Sequence, residues 1–312
     1  MSMKYLALTM AMVRNTLADG SISITENGAE KSMFILDAGT KGQRSTTSGN
    51  QLTIPHNGRS YLAVRDRAGS SLDPHGWYIP NLVGGSIEFD VNLSQAGCSC
   101  NAALYLVSMP GYNANQDEDP SSGGDYYCDA NNVGGVWCPE MDIMEANSYA
   151  WHTTPHHCDA PQGKHYTNCD RGGAGKSIHS QDPNAYGPGS QYKINTQNQF
   201  HVKQDFNEKD GKVSSIVTTF TQDSNEYVLT VDDPYVESMT DALKAGMTVA
   251  ISNWGSSWSR MSWLDQDTGC TGDCNNDPNV MWSNIKYTLA ETPTPPSPGT
   301  YKWSCNTAGD CL

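Results

Sequence analysis

The chain has 312 residues, 37% of them apolar, with 29 glycines, 10 cysteines and a formal net charge of −15. That length allows one large domain or two small ones. The acidic balance excludes nucleic acid and anionic membranes as partners, since like charges repel, and leaves a neutral substrate as the fitting ligand.

Residues 1–19 open with Lys4 and an apolar run over 5–13, which resembles the core of a secretory signal. Arg14 ends the run early, and no small-x-small cleavage site follows. Strands are predicted at 32–36, 60–64, 85–91, 103–107, 214–220 and 247–251, where β-branched and aromatic residues cluster between Gly, Asn, Asp and Pro. A short helical turn is predicted over 240–246, with Thr240 as N-cap and Gly246 as its stop. The spacing predicts an all-β fold, a two-sheet antiparallel sandwich filling residues 20–290. Residues 291–299 form a stiff Pro-rich linker, and the tail 300–312 is too short for a core. No other segment is long enough to span a membrane.

Ten cysteines in an acidic, Gly-rich chain point to oxidised pairs and a secreted protein. Zinc is the competing reading, through Cys98-x-Cys100 and Cys270-x-x-x-Cys274, but no tight Cys-x-x-Cys knuckle is present. Asn92-Leu93-Ser94 is a glycosylation sequon and points the same way.

The run Glu140-Met141-Asp142-Ile143-Met144-Glu145 carries the chemistry. Alternation in a strand puts Glu140 and Asp142 on one face and Met141 and Ile143 on the other. Glu145 joins the acids only if one extra residue is inserted, so a bulge is predicted near Ile143-Met144. A solvent-facing acidic strand has the same carboxylate spacing; the intervening Met and Ile residues point instead to a strand with one buried face. Clustered acids push one another's pKa values apart, so one stays protonated while its neighbour is ionised. A retaining glycosidase needs such a pair, a nucleophile and an acid about 5–5.5 Å apart.

The longer run Cys138-Pro139-Glu140-Met141-Asp142-Ile143-Met144-Glu145-Ala146-Asn147 resembles the hallmark of glycoside hydrolase family 7, the cellulases. Further matches follow in order: Thr47-Ser48-Gly49-Asn50, Ala103-Leu104-Tyr105-Leu106-Val107-Ser108-Met109, Tyr127-Cys128-Asp129, Thr154-Pro155-His156, Tyr186-Gly187-Pro188-Gly189, Trp263-Leu264-Asp265 and Ser283-Asn284-Ile285-Lys286. The resemblance covers most of residues 32–290. It implies a concanavalin A-like jelly roll with a concave substrate groove, and retaining hydrolysis of β-1,4-glucan by a monomer without metal or organic cofactor. It implies Glu140 as nucleophile, Glu145 as acid/base, Asp142 as the residue that holds and tunes Glu140, and His156 near the leaving group. It places Tyr105, Asp129 and Asn131 around the reacting sugar, with Asn131 standing where glutamine is usual. Trp254 and Trp263 fall on its sugar-stacking tryptophans, an aromatic face suiting the C–H face of a pyranose. Trp137, Trp258 and Trp282 have no assignment. The resemblance also implies the pairs Cys98–Cys270, Cys128–Cys138 and Cys158–Cys169, and with them Cys100–Cys274 and Cys305–Cys311. A further family bridge is missing as a unit, its places held by Trp137 and Asn132.

The departures bear on mode of action. Distal stacking tryptophans and a long cysteine-rich segment are missing between Leu36 and Thr47, and the stretches 129–138 and 263–283 are short. An open groove and endo cleavage are expected. The family's product-side arginine has no counterpart placed in 263–283, and Arg171 and Arg260 are weakly supported stand-ins. An exo-acting cellobiohydrolase and a β-1,3- or mixed-linkage glucanase are the alternatives within the fold. A glycan-binding lectin is the alternative of another class, though a lectin groove needs no clustered acids. A zinc hydrolase using His152, His156 and His157 is a third reading, on a Pro-broken segment.

Overall fold

The computed structural model describes residues 19–290, except 39–42, 68–70, 121–123 and 276. The signal-like run, the linker 291–299 and the tail with Cys305 and Cys311 lie outside the described residues. In chain order the strands begin with β1 (Gly20–Glu26), β2 (Ala29–Asp37), β3 (Thr46–Ser48), β4 (Gln51–Pro55), β5 (Gly58–Ala63), β6 (Ser86–Asn92) and β7 (Cys100–Val107). Next come β8 (Glu140–Ala146), β9 (Trp151–His156), β10 (Lys176–Ser177), helix α1 (Ile178–Gln181), β11 (Tyr186–Gly187) and β12 (Ile194–Asn195). The chain continues through β13 (Phe200–Lys209), β14 (Lys212–Gln222), β15 (Asn225–Val231), α2 (Thr240–Ala245), β16 (Thr248–Gly255), α3 (Trp258–Asp265) and β17 (Asn279–Thr288). All six strands predicted from sequence are present.

Two layers face each other. One runs β10-β9-β8-β7-β16-β5-β2-β1 and the other β17-β6-β13-β14-β15. They are the two layers of the expected sandwich, joined by hydrogen bonds into one path. The join is a short parallel pairing of Thr25-Glu26 in β1 with Lys286-Tyr287 in β17. The other pairings along that path are antiparallel, and β11 and β12 form a small parallel pair apart from it.

The core lies between the layers because alternation sends every second side chain there. In β7, Ala102, Leu104 and Leu106 enter the core, while Ala103, Tyr105 and Val107 face the opposite way. Phe89, Val202, Ile216 and Phe220 come from the other layer. Trp151 meets Phe220 edge-on, with ring centroids 4.8 Å apart. The Gln204 side-chain amide crosses the core to donate to the Ile143 carbonyl at 3.3 Å, partnering a backbone group at the bulge.

The turn before β16 corrects one expectation. Thr240 is not an N-cap. A 3-10 turn, Pro234–Met239, precedes α2, and Asp233 caps that turn by accepting from Tyr235 N. The Thr240 hydroxyl donates back to the Glu237 carbonyl and accepts from Val213 N. Gly246 does end the helix, with φ +83, a left-handed conformation that disfavours a side chain.

Candidate active site

Strand β8 carries the predicted bulge. Asp142 pairs with Thr154 of β9 and Glu145 with His152, so Ile143 and Met144 together oppose one residue, Thr153. Against β7, Met144 pairs with Leu104 and Asp142 with Tyr105, leaving Ile143 unmatched. The extra residue resets the alternation. Met141, Ile143, Met144 and Ala146 all enter the core, and Glu140, Asp142 and Glu145 all line one groove on the other face.

That groove has a volume of about 840 Å³. It brings together all nine side chains assigned from sequence: Glu140, Asp142, Glu145, His156, Tyr105, Asp129, Asn131, Trp254 and Trp263. Trp254 stands in β16, two strands from β8 on one side. Trp263 stands in α3 and meets His152 of β9 edge-on, on the other side. Asn131 is exposed at the rim, and its backbone N–H donates to Asp129.

Each acid has a fixed partner. Glu140 accepts from the Ala130 backbone N–H at 3.0 Å. Glu145 accepts from the Asn101 side-chain amide at 2.8 Å. Asp142 lies 3.0 Å from His156 Nε2, and His156 Nδ1 lies 2.9 Å from the Asp170 carbonyl. A carbonyl only accepts, so Nδ1 carries a hydrogen and one further proton is shared between Nε2 and Asp142. Asp129 accepts from the backbone N–H groups of Asn131 and Val133, both at 2.9 Å. The bridge Cys128–Cys138 and a Cys138 N–H bond to the Asp129 carbonyl hold this segment against β8.

The electrostatics follow from crowding in a dry place. Burial, and then the charges of Asp142 and Asp129, push Glu140 well above the usual carboxylate range. Asp142 is raised by burial and by Glu145 and Asp129. Burial raises Glu145 too, while Asn101 and His156 oppose the rise. Asp129 is raised by burial against its backbone donors. Burial also pushes the Tyr105 hydroxyl up to about 12, so it remains a donor, 3.2 Å from the Tyr127 hydroxyl. A cluster of this kind holds protonated and ionised carboxyls side by side, as acid catalysis with nucleophilic attack requires.

Four bridges are present among the described residues: Cys98–Cys270, Cys100–Cys274, Cys128–Cys138 and Cys158–Cys169. The first two join the entry of β7 to the segment after α3. The buried Asp265 carboxylate reinforces that join, accepting from Ser99 N–H and the Asn147 amide.

The remaining arginines, tryptophans and histidines singled out in the sequence divide between the groove and the rest of the fold. Arg171 lines the groove and lies over Trp137 at 5.0 Å, whereas Arg260 is exposed on α3 and does not line it. Trp282 is core, and Trp137 and Trp258 are half-buried. His152 and His156 line the groove, but His157 packs on Tyr235 with centroids 4.7 Å apart. Strand alternation thus breaks the three-histidine zinc set, and among the described residues no cluster of His, Cys, Asp or Glu is arranged for a metal.

Sequence reasoning assigned no role to Arg59, Asn101 or Tyr127. Arg59 is buried, lies over the Tyr127 ring at 3.6 Å and pairs with Asp125 at 3.5 Å. The signal for Asn101 and Arg59 was a polar residue in step with groove-facing positions of an otherwise apolar strand.

The family described as Glycosyl hydrolase family 7 matches residues 129–231. Endoglucanase 1 of Humicola insolens is 31% identical over 273 residues, covering 66% of this chain and 67% of the relative. Endoglucanase EG-1 of Hypocrea jecorina is 30% identical over 311 residues, covering 82% of this chain and 65% of the relative. A solved endoglucanase I in complex with cellobiose has a TM-score of 0.69 at 24% identity, over 88% of this chain and 97% of the other; that likeness is one of fold.

Proposed function

The chain belongs to glycosyl hydrolase family 7, and from that membership and the groove we propose that it hydrolyses β-1,4-glucosidic bonds of cellulose or a related β-glucan, with retention and by internal cleavage. One observation carries the reading: three carboxyls of one bulged strand face a groove with a tryptophan on each side. Glu140, held by the Ala130 N–H, attacks the anomeric carbon as a carboxylate. Glu145, held by Asn101, gives its proton to the departing glycosidic oxygen. The glycosyl ester on Glu140 is then cleaved by water, whose proton Glu145 takes back. Asp142 and His156 share a proton beside the pair and hold it in register. Tyr105, Asp129 and Asn131 surround the reacting sugar, and Trp254 and Trp263 stack sugars on opposite sides of the cut.

The groove and the short 129–138 loop favour side entry of a chain over threading from an end. The oxidised bridges favour action outside the cell, and the proposed enzyme is a monomer acting on a polysaccharide. The test is hydrolysis of soluble cellulose derivatives. Reducing-sugar release with rapid viscosity loss and mixed oligosaccharides is expected. Cellobiose as the dominant product with little viscosity change makes the enzyme exo-acting. Preferential cleavage of laminarin or mixed-linkage glucan moves the specificity away from β-1,4 chains. Binding without any release leaves a lectin.

A further inference from the structure

His152 is a groove residue that the mechanism above does not use. It stands in β9 directly opposite Glu145, so the two Cα atoms are about 4.5–5.5 Å apart. Alternation puts its side chain on the same face as Thr154 and His156, and all three line the groove. Its Nε2 lies 3.0 Å from the Leu264 carbonyl. Because that oxygen only accepts, Nε2 carries the hydrogen. Burial holds the imidazole below its usual pKa, against the Leu264 bond and the charge of Asp267. A neutral ring with hydrogen on Nε2 has a bare acceptor at Nδ1. No donor among the described residues reaches that nitrogen, and it is not sealed from solvent. Trp263 meets the ring edge-on, with centroids 6.3 Å apart.

One side chain therefore joins three things: the residue beside the acid/base, the helix that bears the stacking tryptophan, and an open acceptor between them. A tie to Leu264 accounts for Nε2 alone; it does not account for an acceptor turned to the groove. We propose that His152 is a specificity residue for the leaving-group sugar, accepting a hydrogen bond from one of its hydroxyls through Nδ1. This rests on the hydrolase reading, with Glu145 protonating the bond to that sugar. A sugar stacked on Trp263 with its glycosidic oxygen at Glu145 passes its hydroxyl edge across His152.

The experiment compares two substrates that differ only on the leaving side. Cellotetraose departs as a sugar, whereas 4-nitrophenyl β-cellobioside departs as a phenol without sugar hydroxyls. The readout is the ratio of kcat/KM on the first to kcat/KM on the second, for variants whose thermal melting shows them folded. His152→Ala lowers that ratio by about tenfold, the size of one lost neutral hydrogen bond. His152→Phe keeps a ring edge for Trp263 and lowers it equally. His152→Gln, which offers one donor and one acceptor, brings it back to within about threefold of the parent. An unchanged ratio in Ala and Phe, whatever the absolute rates, means that His152 only props α3 and overturns the proposal. A parent inactive on both substrates overturns the hydrolase reading itself, and the proposal with it.

Discussion

At the scale of single residues, each acid is defined by what surrounds it. Glu140 is 6% exposed and anchored by one backbone N–H. Glu140→Gln keeps that bond, because the amide oxygen still accepts, but cannot form the ester. Turnover is expected to drop on the order of 10⁴-fold with glucan affinity largely kept, since the loss falls on the transition state. Steady-state kinetics with a binding isotherm checks this, and normal turnover would remove Glu140 from the role. Asp142 gives a different signature. After burial, its charge is the largest influence raising Glu140. Asp142→Asn removes that charge, so ionised Glu140 becomes easier to form. The acidic limb of kcat/KM against pH is expected to move to lower pH while the maximum falls. A limb that stays in place would show that the Asp142 charge does not set the Glu140 pKa.

At the scale of elements, the site depends on β8 being pinned on both sides. The Cys128–Cys138 bridge links residues 10 apart in sequence and sets Ala130 against Glu140. Replacing both cysteines by serine is expected to cost about 2–4 kcal/mol of stability. It also lowers kcat more than it raises KM, because the anchor of the nucleophile loosens. Urea titration and kinetics on one preparation check both halves, and an unchanged kcat would confine the bridge to stability. The same elements show what the sequence discloses. The bulge was legible because three acids cannot share a face of a regular strand, and one inserted residue is the least distortion that allows it. Thr240 was misassigned because a Thr before a short helix resembles a cap, whereas the mark of the true start, Asp233 followed by Pro234, lies upstream at the 3-10 turn. Arg59 and Asn101 stayed hidden, and His152 was read only as a zinc ligand, for another reason. They reach the groove through pairing of β5, β16, β7, β8 and β9, segments up to some two hundred residues apart, and a lone polar residue in one strand does not reveal its neighbour in the next. In the folded sheet Arg59, Ser252, Ala103, Glu145 and His152 lie in one row across five strands.

At the scale of the molecule, the groove sets stability against chemistry. Unfolded, Glu140 titrates near 4.3; folded, burial and neighbouring charges raise it well above that. The native state thus holds a proton that the unfolded chain has released, and stability falls as pH rises from about 4 toward the folded pKa. Glu140→Gln carries no such proton. Its stability advantage over the parent should be small near pH 4 and grow as pH rises toward the folded pKa. Urea midpoints at pH 4 and pH 7 measure it, and an advantage independent of pH would refute the linkage. The short parallel contact of β1 with β17 has a different consequence. By stitching the two layers into one path, it leaves neither β1 nor β17 free where they meet, and β4 covers another stretch of the β17 rim. The path ends at β10, two residues long, and at β15, where Asn225, Glu226 and Thr230 face solvent together with Val228; β3, three residues long, is a further edge. Unpaired strand rims are where one chain templates another into fibrils. In this join the fold has a built-in resistance to growing sheets with its own copies.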